Sequence, residues 1–257
     1  MKKIAKVFAL TVMLVMGGQA MAQYRGAMFL GASFPMNSFG DFDGFNEYAL
    51  MRVEESDAGA AIGFNAGIKW YFNVGVEGLN AMVSVDGFYN GINSNLKTAF
   101  RESESNYNGL LLNTSFKYDA TPKYFNFPAM LGVNYIYHFN PNLGIYVEAG
   151  AGGNFRLITD LEAVAKGQSV LGQEVTQRDI TDYDNAITFA YQAGIGFEIA
   201  KNLVIGCSFY DLGKADVSAE LIHKEVINQE AQPEAKEYKT YGNVHPVMVV
   251  GRIGFSF

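Results

Sequence analysis

The chain has 257 residues, of which 49% are hydrophobic and 14% aromatic, and its formal net charge is −7. This acidity argues against a nucleic-acid partner, because binding to phosphates requires a surplus of lysine and arginine. The apolar fraction is enough for one large domain, yet no uncharged stretch after residue 22 is long enough for a membrane-spanning helix. Any membrane crossing is therefore expected to use strands. The single cysteine, Cys207, excludes an internal disulfide.

The N-terminal segment predicts a secretory signal peptide. Three lysines precede an apolar run over residues 7–16, and the small-residue sequence AMA ends at Ala22. These features match the three regions of a signal peptide, with cleavage before Gln23. A transmembrane helix is the alternative, but it needs about 20 apolar residues and this run is shorter. Residues 1–22 are expected to be removed, which leaves a domain over residues 23–257 with 16 basic and 26 acidic residues.

Eight later segments alternate apolar and polar residues with the period of a β-strand. In the second of them, Phe64, Trp70 and Phe72 share one face, and Lys69 lies on the other. Such alternation predicts extended strands with one continuous apolar face. The predicted strands are Tyr24–Ser33, Ala60–Phe72, Leu79–Tyr89, Tyr124–Phe139, Gly144–Leu157, Ile187–Ile199, Leu203–Leu212 and Val247–Phe257.

The connections between these strands alternate between long and short. The four long ones are polar and charged loops over residues 34–59, 90–123, 158–186 and 213–246, and three short turns separate them. Residues 110–119 also alternate, so they form either an extra spanning strand or a hairpin arm outside the membrane. The hairpin arm is preferred, because a further spanning strand would break the pairing of the strands into hairpins.

The last strand ends on a bare phenylalanine. Val247, Val249, Ile253, Phe255 and Phe257 share one face of it, and in water an edge strand with that face would promote aggregation. A closed barrel in lipid removes this problem, because it has no edge strand. The ending resembles the C-terminal signal by which Gram-negative outer-membrane barrels are recognised for insertion. The resemblance implies that Phe257 is an assembly signal and that the barrel-assembly machinery is a partner.

Eight alternating strands with short turns at one end and long loops at the other are typical of bacterial outer-membrane barrels. The whole mature chain resembles the small OmpA-type, OmpX-type and OmpW-type barrels, which are also described as porin-family proteins. The resemblance implies an all-β fold: an eight-stranded antiparallel up-and-down transmembrane β-barrel, surrounded by outer-membrane lipid, with the long loops facing outwards. No peptidoglycan-binding domain follows the barrel, so the cell-wall anchoring of the full OmpA plan is not expected.

With the apolar faces turned to lipid, six charged strand residues face the barrel interior. A charge on the lipid face costs about 2–4 kcal/mol at the midplane, so their common side supports the predicted register. Because side chains nearly fill an eight-stranded lumen, opposite charges there are expected to neutralise one another and close the barrel. A narrow polar pore is the alternative. The six residues are Lys69, Asp86, Glu148, Arg156, Glu198 and Arg252, and all but Asp86 and Arg156 are predicted to form one cluster in the periplasmic half.

Aromatic residues concentrate near the turn ends of the strands. This position predicts an aromatic girdle at the periplasmic membrane interface. Ordinary core packing in a soluble β-sandwich is the alternative interpretation. The girdle residues are Trp70, Phe72, Tyr135, Tyr137, Phe139 and Phe255.

Nothing in the sequence indicates an enzyme. His138, His223 and His245 are the only histidines, and none stands in a short run with Ser and Asp that would indicate a nucleophile and its base. No catalytic, cofactor-binding or metal site is predicted. The predicted function is that of a non-enzymatic outer-membrane barrel, an envelope or surface-interaction component with at most a narrow pore. Two alternatives stay open: porin-like transport of small solutes or apolar molecules, and a lipid-modifying enzyme with its site at the loop rim.

Overall fold

A computed structural model describes residues 24–36, 39, 59–110, 115–169 and 172–257. The predicted signal peptide and most of the first long connection lie outside these described residues. Within the described residues, the helix α1 spans Ser94–Leu110. The strands are β1 (Tyr24–Met36), β2 (Gly63–Asn73), β3 (Leu79–Asn90), β4 (Ser115–Ala120), β5 (Tyr124–Asn140), β6 (Leu143–Ile158), β7 (Leu161–Gln168), β8 (Glu174–Tyr183), β9 (Ala186–Ile199), β10 (Leu203–Asp211), β11 (Ala215–Ile227), β12 (Glu230–Ala231), β13 (Ala235–Val244) and β14 (Val247–Ser256).

Eight of these strands form a closed antiparallel barrel. Their order is β1-β14-β10-β9-β6-β5-β3-β2, and β2 pairs with β1. The ring closes between the first and last strands, from Ala27 opposite Ser256 to Met36 opposite Val247. Each barrel strand is a neighbour of the barrel strand that follows it in sequence, so the predicted eight-stranded up-and-down barrel is confirmed. The strand ends predicted from the alternating pattern lie within about three residues of the strand ends in the structure.

Short turns join the strands at one end of the barrel, the turn end. Ala200 and Lys201 have positive φ angles of 52° and 65° and reverse the chain between β9 and β10. Between β5 and β6, the side-chain oxygen of Asn140 accepts the backbone N–H of Asn142 at 2.9 Å, an arrangement by which asparagine stabilises tight turns. The long connections leave the opposite end, the sheet end.

Large apolar side chains cover the outside of the barrel. Ile187, Phe189 and Leu131 are 71%, 70% and 67% exposed. A continuous apolar surface of this kind is unusual on a protein surrounded by water. Polar side chains occupy the alternate positions and point inwards, because successive residues of a strand face opposite sides. The exterior is therefore built to contact hydrocarbon.

Three of the four long connections, those over residues 90–123, 158–186 and 213–246, contribute strands to a second sheet, the outer sheet. Its order is β12-β11-β8-β7-β4, with β13 also paired to β11. Charged side chains pair across its surface, such as Lys236 with Glu220 at 3.3 Å and Arg178 with Glu162 at 2.6 Å. The prediction of solvated loops over 158–186 and 213–246 was therefore wrong. β4 lies outside the barrel, as the hairpin-arm prediction required, but it pairs with β7 instead of forming a hairpin within its own connection.

Helix α1 packs between the barrel and the outer sheet, within a segment predicted to be loop. The side-chain oxygen of Asn93 accepts the N–H of Leu96 at 2.8 Å, which caps the first turn. Leu96 and Phe100 are buried. Glu104 accepts the backbone N–H of Tyr118 in β4 at 2.7 Å, so the helix also covers an exposed sheet edge. Among the residues that the structure describes, no helix is both long and apolar enough to cross a bilayer.

Two groups of apolar side chains occupy the two ends of the barrel interior. In the group at the turn end, the hydroxyl of Tyr146 fits against Gly196 and Gly206, because a Cβ at these positions would stand 2.5 and 2.2 Å from its oxygen. The turn-end layer consists of Ala27, Phe29, Tyr71, Met82, Ile136, Tyr146 and Val204. The sheet-end layer includes Phe88, Tyr124, Met130, Tyr210 and Met248 from the barrel, with Leu96, Phe100, Leu161, Tyr183 and Val217 from α1 and the outer sheet.

Candidate functional site

A charged layer lies inside the barrel between the two apolar layers. Strand β3 shows the sequence of layers along one strand: Met82 belongs to the turn-end layer and Phe88 to the sheet-end layer. Ser84 and Asp86 stand between them, and both are almost fully buried. Charged groups in such surroundings are tolerated only where they are paired and hydrogen-bonded.

Lys69 and Glu148 form the first pair of the charged layer. The lysine is fully buried, and its Nζ is bonded to Oε1 of Glu148, which is itself only 5% exposed. The side-chain oxygen of Gln192 lies 3.5 Å from the same Nζ. Gly194 leaves room for the carboxylate, because a Cβ there would be 3.0 Å from Oε1. The pair is therefore fitted between strands β2, β6 and β9.

Arg252 and Asp86 form the second pair, and Tyr210 bridges them. Nη2 of Arg252 donates to the tyrosine hydroxyl, which donates in turn to Oδ2 of Asp86 at 3.1 Å. The direct distance from Nη1 to Oδ1 is 3.8 Å. Asn65 donates to the same Oδ1 at 3.3 Å, and the guanidinium lies 5.5 Å from the centre of the Phe29 ring. With the first pair, this gives two positive and two negative charges in one layer.

Glu198 lies apart from these four residues. It is opposite Val204 of the turn-end layer, and its carboxylate bonds Arg25, a residue that the sequence analysis did not select. Nε2 of His138 is 3.4 Å from its other oxygen. The structure therefore places Glu198 in a separate group at the turn end instead of in the predicted four-residue cluster.

Arg156 lies at the other end of the lumen and is held by main-chain carbonyls. It is 1% exposed, and it donates to the carbonyl oxygens of Val244 at 3.0 Å, Asp216 at 3.2 Å and Ala215 at 3.4 Å. These carbonyls belong to β11 and β13 where both strands leave the barrel. Hydrogen bonds to charged groups are worth about 1.5–3 kcal/mol each, so Arg156 ties the outer sheet to the barrel wall.

Replacing Arg156 by Met should loosen the outer sheet while leaving the barrel closed. The substitution removes the three hydrogen bonds that tie β11 and β13 to the barrel wall, which exposes these strands to local opening. Limited digestion of the refolded protein with proteinase K should then cut these strands about tenfold faster than in the wild type. A tenfold change in the open population corresponds to about 1.4 kcal/mol, which is close to the free energy of one charged hydrogen bond. Arg178→Met, which removes an exposed partner of Glu162, is the matched control and should digest at the wild-type rate. Equal rates for both variants would contradict the role of Arg156.

One carboxyl between the barrel and the outer sheet has a shifted pKa. Burial first, and then the neighbouring carboxylates Asp182 and Glu162, raise the pKa of Asp160 above its ordinary value. Folding therefore makes ionisation of Asp160 less favourable than ionisation of a free aspartate. Its contribution to stability is present at low pH and is lost as the pH rises through the raised pKa.

The predicted girdle residues lie on the outer surface near the turn end. Tyr135, Tyr137, Phe139 and Phe255 are 45–58% exposed, and Trp70 and Phe72 are half-buried. Their role at a membrane interface stays a prediction. Phe257 pairs with Gly26 of the first strand through two backbone hydrogen bonds of 2.9 Å.

Four interior residues were not selected from the sequence. Gln192 and Tyr210 share the inward face of their strands with Glu198 and Ser208, so the period-2 pattern places them inside but does not reveal their partners. Arg25 was missed because the two faces of β1 are poorly distinguished. His138 gave no signal, because its partner Glu198 is 60 residues away in sequence.

A closed eight-stranded barrel with an apolar exterior and a polar interior defines the class of transmembrane β-barrels. The family model described as "Outer membrane protein beta-barrel domain" matches residues 8–229, and the chain belongs to this family of bacterial outer-membrane proteins.

Several solved structures are similar to this chain. Ail, the attachment invasion locus protein of Yersinia pestis, is 12% identical, with a TM-score of 0.35, over 91% of this chain and 98% of that one. Outer membrane protein OprG from Pseudomonas aeruginosa is 11% identical, with a TM-score of 0.44, over 91% and 95% of the two chains. Neisserial surface protein A is 13% identical, with a TM-score of 0.35, over 91% and 96%. A search of curated proteins found no match.

Proposed function

We propose that the protein is a non-enzymatic integral outer-membrane barrel whose lumen is closed, and that it acts as an envelope or surface-interaction component. The observation that carries the proposal is the order of layers in the interior. A charged layer with two positive and two negative residues lies between two apolar layers. An ion crossing this interior would have to pass both apolar layers without its hydration shell. Moving a bare ion into apolar surroundings costs several kcal/mol or more.

The proposal includes an orientation. The outer sheet faces the cell exterior and the turn end faces the periplasm, since long connections of such barrels are extracellular and short turns periplasmic. Cross-strand ion pairs give the outer sheet a charged surface on a rigid scaffold. Such a projecting surface suits contact with an external partner better than passage of a solute.

Porin-like transport is the competing function, and conductance separates the two. Refolded protein in planar bilayers should give no discrete current steps above those of protein-free detergent. A general porin refolded in the same detergent supplies the positive control. Steady, ion-selective steps from the wild-type protein would contradict the closed lumen and favour transport.

A further inference from the structure

We propose that the turn end of the barrel carries a binding site for a short oligosaccharide. A pocket of about 740 Å³ opens there, within the range of about 300–1,000 Å³ that small-molecule sites occupy. It lies where the starts of β1 and β3 meet the ends of β2 and β5. None of the charged-layer residues lines it, so it is a separate site from the one described above.

The pocket ends blind. Tyr71 and Ile136 line it and also belong to the turn-end layer, where they are 4% and 7% exposed. A molecule that enters therefore meets an apolar surface instead of a passage through the barrel. This geometry suits binding and not transport.

Planar polar side chains form the walls. Arg25 bonds Glu198 through one nitrogen and keeps 31% of its side chain exposed, and the ring of His138 is 40% exposed. Asn73 and Asn80 face the same space from neighbouring strands. These groups offer hydrogen-bond donors and acceptors at short spacing, which is what the adjacent hydroxyls of a pyranose ring require.

The charge balance of the pocket and its aromatic wall favour a neutral sugar over an anion. The positive charge of Arg25 is compensated by Glu198, and Glu77 adds a carboxylate to the lining, so the pocket has no net positive field. Tyr71, which faces inwards, contributes an aromatic ring to the wall. Aromatic rings pack against the apolar C–H face of a sugar, while amides and charged groups bind its edge.

With the turn end in the periplasm, as proposed above, two sources could supply this chemistry: the N-acetylhexosamine strands of the cell wall and soluble glucose oligomers. The test uses purified protein in detergent micelles, where both ends of the barrel meet the solution, so it does not depend on the orientation. The detergent is zwitterionic and has no sugar head group that could compete for the pocket. A trimer of N-acetylglucosamine and a glucose trimer are titrated separately, and backbone amide shifts are followed by NMR. Saturable shifts at Asn80, Ile136 and His138 support the proposal, and the trimer that produces them identifies the source.

His138→Ala should weaken binding by about tenfold, as expected when one hydrogen-bonding side chain is lost. The matched control is His223→Ala, because His223 is similarly exposed at 43% and also contacts a carboxylate, Asp179, but in the outer sheet. It should bind like the wild type. Asn80→Ala gives a second test that does not involve the Glu198 group. The proposal is wrong if neither trimer shifts the pocket residues, or if His138→Ala and Asn80→Ala bind as the wild type does.

Discussion

Replacing Lys69 by Met should lower the free energy of unfolding by about 3–5 kcal/mol, because it leaves the buried carboxylate of Glu148 without its partner. Lys69 is fully buried and Glu148 nearly so, and the second carboxylate oxygen, Oε2, already lacks a hydrogen-bond partner. Water cannot readily replace the lost ammonium in a lumen filled by side chains. Urea unfolding of the refolded protein in micelles measures the effect.

Two controls separate the buried charge from the loss of a lysine as such. Lys117→Met removes an exposed lysine that pairs with Asp119, and it should change the unfolding free energy by less than about 1 kcal/mol. The double variant Lys69→Met with Glu148→Met removes both buried charges, and it should recover most of the stability, because apolar replacement of a buried pair is often neutral. A single variant Lys69→Met with wild-type stability would show that the lumen is hydrated enough to solvate Glu148, and the closed-lumen proposal would fall with it.

The barrel was predictable because its signal is local. A strand that has lipid on one side and a packed lumen on the other repeats with period 2, and the whole length of β6 or β9 carries that pattern. Closure then follows from the need to pair every backbone group in hydrocarbon. Neither step requires knowledge of a distant contact.

The outer sheet was missed because it lacks that signal. Both of its faces meet water over much of their length, so β8 and β11 mix charged and aliphatic residues on each face. Ile180 and Ile222 stand opposite each other in the register, but nothing in the sequence of either strand identifies the other. Strands of this kind are recognised by their pairing and not by their periodicity.

The alternating pattern predicts which charged residues face the lumen, but it does not predict how far along the barrel axis each of them lies. Residue parity places Glu198 and Glu148 on inward faces, but pairing depends on how far each side chain lies along the barrel axis and which one reaches across it. Glu148 meets Lys69 across the barrel, whereas Glu198 meets Arg25 nearer the turn end. Tilt and stagger of the strands set these depths, and they follow from the register of all eight strands together.

Deleting Phe257 should strongly lower the amount of assembled protein in the outer membrane. Phe257 adds the last pair to the junction of β1 and β14: its N–H and carbonyl both bond Gly26 at 2.9 Å. Their loss is worth about 1–3 kcal/mol and leaves a frayed end at the junction of β1 and β14. Surface biotinylation of intact cells and heat-modifiable migration on gels measure the assembled fraction, and an unchanged fraction would contradict the prediction.

A glycine substitution separates ring closure from recognition of the terminal residue by the assembly machinery. Gly31→Val keeps Phe257 but places a Cβ 2.4 Å from the backbone oxygen of Gly251 across the junction of β1 and β14, so it should impair refolding in micelles as the deletion does. Gly251→Val is the matched control, because a Cβ there meets no atom within 4 Å. If Gly31→Val refolds poorly yet assembles normally in cells, the terminal phenylalanine acts through recognition by the machinery. If Gly31→Val and the Phe257 deletion both fail in both settings, intact pairing of β1 with β14 is what assembly requires.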